Sequence, residues 1–165
     1  MDFYYSPSWR KDIEMAFYNF EKDLAVADGT EKEVAGLLEK HHKAKILDFE
    51  DTNKYDILAC IKNKNYTFEV KEDFIGAITG NVGLEFECRG KPSGIQVSKA
   101  HFYIYKLHIG NNKVIFVLHE IGTIKDKITN KKYFRIVNGG DEGSNSMNYL
   151  FRRNVFLKDG YIMKQ

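Results

Sequence analysis

Long apolar runs are missing from this chain: no window approaches the ~20 uncharged apolar residues that a membrane-crossing helix needs, so no membrane span is expected. Cysteine is scarce. Cys60 and Cys88 each fall inside an apolar strand-like run, far from a second cysteine or a histidine at metal-binding spacing, and are expected as buried free thiols. An excess of one charge sign is also missing. The 25 Lys and Arg against 23 Asp and Glu leave a net charge of +2, too close to neutral to announce a nucleic-acid partner, so local placement must decide. No Walker-type loop, dinucleotide fingerprint or Gly-x-Ser-x-Gly elbow occurs, which argues against nucleotide hydrolases, dehydrogenases and esterases of familiar kinds. Repeats, linkers and low-complexity tracts are absent. Met1-Asp2-Phe3-Tyr4-Tyr5 lacks the basic-then-apolar pattern of a secretory signal, so a cytoplasmic location is expected.

What is present suits one domain spanning residues 1–165. The chain is 43% apolar and 14% aromatic, and at this length it can bury roughly 70% of the surface its unfolded form exposes without disulfides or a structural metal. Ser6 and Pro7 read as a helix start, after which Trp9, Ile13, Ala16, Phe17, Phe20 and Leu24 recur at helical spacing. Asp28-Gly29-Thr30 is expected to break this helix, and a second one, with Val34, Leu37, Leu38 and His41 on its apolar stripe, runs from Glu31 to about His42. The period then changes to two. Strands are expected at Ile46–Phe49, Tyr55–Ile61, Tyr66–Lys71, Leu84–Cys88, Tyr103–Leu107 and Val114–Leu118, with hairpin turns at Lys62–Asn65 and Asn111-Asn112. Ser98–His101 reads as a short helix, and the signal beyond Glu120 weakens to a short helix, a strand at Tyr133–Val137 and a polar loop at Asn138–Asn145. The class is therefore α/β, with a mixed central sheet flanked by helices.

The chemistry concentrates at Asp56 and Glu69-Val70-Lys71. In a strand, Glu69 and Lys71 point to one face while Phe68 and Val70 point to the other. Asp56 lies on the hairpin partner strand, which can bring its carboxylate beside that of Glu69. Two carboxylates this close repel unless a cation sits between them, and hard oxygen ligands suit Mg²⁺ or Mn²⁺. A lysine beside such a cation can orient water or neutralise charge building on a phosphate.

Tyr55-Asp56 and Glu69-Val70-Lys71 resemble the paired motifs of the PD-(D/E)XK nuclease superfamily, with tyrosine where the family pattern has proline. The resemblance runs from about residue 29 to 119. It implies a restriction-endonuclease-like αβββαβ core, preceded here by an extra N-terminal helix. It further implies a helix acid, for which Glu31 is placed beside the buried stripe and Glu33 is the alternative. On this resemblance Asp56, Glu69 and the Val70 carbonyl hold the metal. Glu31 serves a second metal or its water, and Lys71 positions the attacking water. Gln96 and Lys99, after the glycine-rich stretch, lie where relatives touch the scissile phosphate, and Lys91 and Ser93 within it are further candidates for nucleic-acid contact. The implied activity is Mg²⁺-dependent hydrolysis of DNA phosphodiesters. By analogy with small family members, a phage-type or resolvase-like endonuclease, structure-selective or junction-resolving, fits the chain length. The alternatives are an inactive nuclease-fold module that binds nucleic acid or protein, and an exonuclease of the same fold.

Weaker features point elsewhere or nowhere. Glu85 and Glu87 share an outward strand face, and Glu72 and Asp73 are expected as solvated strand-end charges. His41-His42 suits a helix end, where histidine interacts well with the dipole. Lys62, Lys64, Lys131, Lys132, Arg135, Arg152 and Arg153 are candidates for phosphate contact without sequence choice. The aromatic face of Trp9, Phe17 and Phe20 is wide enough to suggest a homodimer through the first helix.

Overall fold

A computed structural model describes residues 20–50, 54–139 and 145–165, with residues 20–26 as helix backbone only. The opening segment with Ser6, Trp9 and Phe17, and the proposed dimer face, lie outside these residues. The described chain begins with α1 (Phe20–His42), followed by β1 (Lys45–Phe49), β2 (Ile57–Ile61) and β3 (Lys64–Asp73). The helical turn α2 (Gly76–Thr79), β4 (Asn81–Cys88), the short β5 (Lys91–Pro92) and a 3₁₀ turn at Gly94–Gln96 lead to β6 (Phe102–Gly110) and β7 (Lys113–Glu120). The chain ends with α3 (Ile121–Thr129), β8 (Arg135–Gly139), β9 (Ser146–Arg152), α4 (Arg153–Leu157) and β10 (Tyr161–Met163).

Two sheets form. The larger is mixed, in the order β1-β2-β3-β6-β7-β10, and the smaller has the order β5-β4-β9-β8. The β2–β3 and β6–β7 hairpins close through two-residue loops whose residues, Lys62-Asn63 and Asn111-Asn112, all have positive φ between 49° and 62°, the backbone that the twist of adjoining strands favours. Within the larger sheet only β3 and β6 are parallel, because the chain crosses between them through α2, β4, β5 and the 3₁₀ turn.

Strand alternation divides the core. Ile57, Ala59, Phe68, Val70, Ile104 and Phe116 pack against Val34, Leu37 and Leu38 of α1. Tyr103, Tyr105, Leu107 and Val117, on the opposite face of the larger sheet, pack against Val82, Leu84, Phe151, Ile124 and Phe156. The expected sheet flanked by helices therefore has a helix on one face and, on the other, the smaller sheet together with α3 and α4. The C-terminal third belongs to both layers: Met163 joins the α1 core and Phe151 and Phe156 the second.

Three expectations are corrected. The helix does not break at Asp28-Gly29-Thr30. Asp28 and Lys32 pair at 2.6 Å across one turn, Gly29 needs no positive φ, and Thr30 is buried at 4% exposure with its hydroxyl donating to the Glu72 carboxylate. Ser98–His101 is not helical. The turn comes earlier, at Gly94–Gln96, where Gly94 has φ +49° and a side chain would run into the Glu85 carbonyl. Cys60 and Cys88 are half-buried rather than buried. Among the described residues no helix is long and apolar enough to cross a membrane.

Candidate active site

Register places the site. Ile57 pairs with Phe68 across the β2–β3 ladder, and the Asp56 N–H donates to the Phe68 carbonyl at 2.9 Å, which extends the pairing by one residue. Side chains on paired residues share a face. Asp56 therefore projects to the same side as Glu69, and its Oδ2 accepts a 2.6 Å hydrogen bond from the Val70 N–H. That bond pins the carboxylate to the strand carrying the Glu-Val-Lys motif. Parallel pairing with β6 sets Glu69 opposite Tyr103 and Lys71 opposite Tyr105. Lys71 Nζ lies 2.5 Å from Glu69 Oε1, with side chains 42% and 14% exposed.

The electrostatics of this group are unbalanced. Burial, and then the charge of Glu69, push the Asp56 carboxyl above the usual aspartate range, and Lys71 and the Val70 N–H offset only part of that. Burial alone would depress the Lys71 ammonium, but Glu69 and Asp56 outweigh it and hold the group above its ordinary value. Lys71 is thus a fixed cation at neutral pH, suited to orienting or neutralising anions rather than to taking a proton. Two carboxylates facing one lysine leave a negative pocket in which a further cation would relieve the strain on Asp56.

Tyr103, which the sequence marked only as the start of a strand, is a member of this group. It is 1% exposed, and its hydroxyl feels Glu69, Lys71 and Asp56. Burial drives it up to about 12, with Ser98 opposing. Ser98 is its hydrogen-bonding neighbour, but their contact falls short of a well-formed bond, so this buried hydroxyl is poorly satisfied. The pairing with Glu69 that brings Tyr103 here is non-local and parallel, and no short-range signal in the sequence carries it.

Other candidates fall elsewhere. Thr30 and Glu33 of α1 reach the helix-covered face of the sheet: Thr30 meets Glu72, and Glu33 pairs with Lys106 at 2.7 Å and accepts from Gln165 at 3.0 Å. Glu33 is therefore engaged away from Asp56 and Glu69. Glu31 lies on the same helix. Among the described residues no group of three or more acidic, histidine or cysteine side chains is arranged to hold a metal ion. Glu72 is not a solvated charge. Its carboxylate accepts from Thr30 and from His108 at 2.7 Å and sits 3.3 Å from Lys106, which together outweigh its burial and lower its pKa. Asp73 ties down α2 by accepting from the Gly76 N–H at 2.8 Å and the Gly83 N–H at 3.3 Å.

Ser93 donates to Glu85, whose other oxygen accepts from Ser146 at 2.9 Å, so the Ser93 hydroxyl is committed to the protein. Lys91, Gln96 and Lys99 are exposed, the first on β5 and the others around the 3₁₀ turn. Arg152 stacks over Phe134 at 4.1 Å and bonds Asn81 at 3.2 Å, and Arg153 donates to the Gly76 carbonyl, which gives both arginines structural partners. A cleft of about 490 Å³ opens beside the group, with Lys71 and Tyr103 in its wall together with residues of β4, β8 and β9. Compared with known proteins, the chain matches no family model, no curated protein and no solved structure.

Proposed function

We propose that the chain is a metal-dependent deoxyribonuclease of the PD-(D/E)XK type, hydrolysing DNA phosphodiesters with Mg²⁺ or Mn²⁺. The observation that carries this reading is the grouping of Asp56, Glu69 and Lys71 on one face of the β2–β3 hairpin, with Asp56 bonded to the Val70 N–H and raised by its neighbour. The donor set fits a hard divalent ion: two carboxylates, one of them disfavoured as an isolated charge, and the Val70 carbonyl between them. Mg²⁺ commonly takes only one or two protein carboxylates and keeps its remaining ligands as water. When bound, such an ion polarises the phosphate and makes its water a better nucleophile. Asp56 and Glu69 would hold it. Lys71, protonated at neutral pH, would orient the attacking water and stabilise charge developing on the phosphoryl oxygens.

Support for the fold assignment is the helix, the antiparallel β1-β2-β3 meander and the parallel return of β6 beside β3; the crossover consists of the one-turn α2, strands β4 and β5 and a 3₁₀ turn where the αβββαβ pattern has a full helix. A second reading, a nuclease-fold module that binds nucleic acid without cutting it, is favoured by one feature: Glu33 pairs with Lys106 instead of joining the carboxylate pair, and the described residues form no metal-holding group of three. Nicking of supercoiled plasmid separates the two. Cleavage with Mg²⁺ or Mn²⁺ is expected to vanish in EDTA and in Glu69→Gln, while Ca²⁺ supports binding without cutting. DNA binding with no cleavage under any of these ions would establish the non-catalytic module.

A further inference from the structure

The cleft beside the carboxylate pair differs from a groove that tracks a charged backbone. Its wall is mainly apolar, with Ile75, Leu84, Ile95, Val137 and Leu150, and its charged lining is Lys71 against Asp73 and Glu85, while Glu72 turns its carboxylate to the helix-covered face. A duplex laid along it would bring phosphates against acids. Its end at Lys71 and Tyr103 is shared with the proposed catalytic group, and Lys71 is the one cation in the lining.

The rest of the cleft suits a flat, uncharged ring. Phe74 stands at its rim 54% exposed, one face stacked on His108 at 4.4 Å, which leaves an aromatic surface open to a further ring. Ile75 beside it is 68% exposed. Deeper in the wall is the Asn148 side chain, an amide with both donors and an acceptor. Gly83 and Gly139 flank it: a Cβ at Gly83 would sit 3.7 Å from its oxygen and one at Gly139 3.2 Å from its nitrogen. The two glycines keep the amide uncovered within the cleft. An aromatic platform at the mouth, a polar edge inside and a lysine at one end suit the base and the adjoining phosphate of a nucleotide.

Resting on the nuclease reading for its phosphate end, we infer that this cleft binds a nucleobase that is out of the double helix, so that the substrate is single-stranded or locally unpaired DNA. Phe74 stacks the base, Asn148 meets its hydrogen-bonding edge, and Lys71 faces the adjoining phosphate. A paired base presents neither of its faces nor its Watson–Crick edge, which is why a fully paired duplex cannot occupy the site.

The test uses the full chain in Ca²⁺, so that binding is read without cleavage, and a short oligodeoxynucleotide carrying 2-aminopurine. The single strand is expected to bind at least tenfold tighter than the same sequence as duplex, with the probe's fluorescence quenched on stacking. Phe74→Ala, a change at an exposed side chain, is expected to weaken single-strand binding roughly tenfold or more and remove the quench, in keeping with the size of base–aromatic stacking. Asn148→Ala is the second variant, and circular dichroism checks that both remain folded. Equal or tighter binding of duplex, binding of neither form, or single-strand binding indifferent to Phe74→Ala would overturn the inference. Mg²⁺-dependent cutting of paired DNA with no single-strand preference would overturn it while leaving the nuclease reading in place. Phe74-dependent single-strand binding with no cleavage under any ion would support it and refute the nuclease reading instead.

Discussion

Asp56 is expected to act in opposite directions on stability and activity, and comparing its asparagine and alanine variants exposes both. In the folded chain the carboxylate accepts from the Val70 N–H at 2.6 Å, yet burial and the charge of Glu69 disfavour its ionised form. Asp56→Asn keeps an acceptor for that N–H and removes the disfavoured charge, so at pH 7 it should melt at or above wild type. Asp56→Ala removes the acceptor and leaves a part-buried N–H unpaired, at a cost of about 1–3 kcal/mol. For a domain of this size each kcal/mol lowers Tm by roughly 2–4 °C, so the alanine variant should melt about 2–12 °C below wild type. The pH dependence follows from the raised pKa. The folded state holds the Asp56 proton more tightly than the unfolded chain, where the group titrates near 3.8. Its contribution is therefore most favourable below that value and is lost as pH rises through the folded pKa. The stability gap between Asp56→Asn and wild type should accordingly close on acidification. Both variants should lose Mg²⁺-dependent cleavage. Calorimetric melts at pH 7 and under mild acid, with plasmid nicking alongside, make the comparison. An asparagine variant several degrees less stable than wild type at pH 7, or an alanine variant with unchanged Tm, would refute the reasoning.

His119 is 1% exposed, and burial, with Lys127 adding to it, lowers its pKa to about 4. The unfolded chain binds this proton first as pH falls below 6.5, so stability should drop by about 3 kcal/mol down to pH 4; His119→Phe should lose that part of the slope in urea titrations across this range. Gly94→Ala should destabilise strongly, because a Cβ there would lie 2.2 Å from the Glu85 carbonyl oxygen, and a chemical melt with an unchanged midpoint would contradict this. Phe68→Ala, at a site 1% exposed and stacked on Phe102 at 5.4 Å, should cost about 3–5 kcal/mol in the same melts.

How much of this was legible in the sequence depended on whether the determining contacts were local. The β2–β3 hairpin could be read because Lys62-Asn63 supplies the turn and Tyr66–Lys71 alternates, and with it came the shared face of Asp56, Glu69 and Lys71. The smaller sheet was harder. Leu84–Cys88 was recognisable, but Met147, Asn148, Tyr149 and Leu150 of β9 are all half-buried, so the strand has no clean alternation to detect. Strand β10 and helix α4 are too short to show a period and are held by tertiary contacts, with Met163 and Phe156 anchoring them. Continuity of α1 through Gly29 was hidden because the Thr30 side chain, which favours a turn on its own, finds Glu72 on a strand 42 residues away. For the same reason Glu72 looked solvated.

The most direct test of the Asp56–Glu69–Lys71 group as a catalytic centre is single-turnover cleavage by Lys71→Ala, with Mg²⁺ and saturating protein. As a half-exposed ion pair with Glu69, Lys71 contributes roughly 0–1 kcal/mol to stability, and its loss would scarcely change the rate. As the cation that orients water and meets charge in the transition state, its loss should slow cleavage by roughly 10²-fold or more while DNA binding changes far less. A slowing of that size, with binding nearly intact, is the expected result; a rate within about threefold of wild type, far short of that magnitude, would reduce Glu69-Val70-Lys71 to a surface salt bridge.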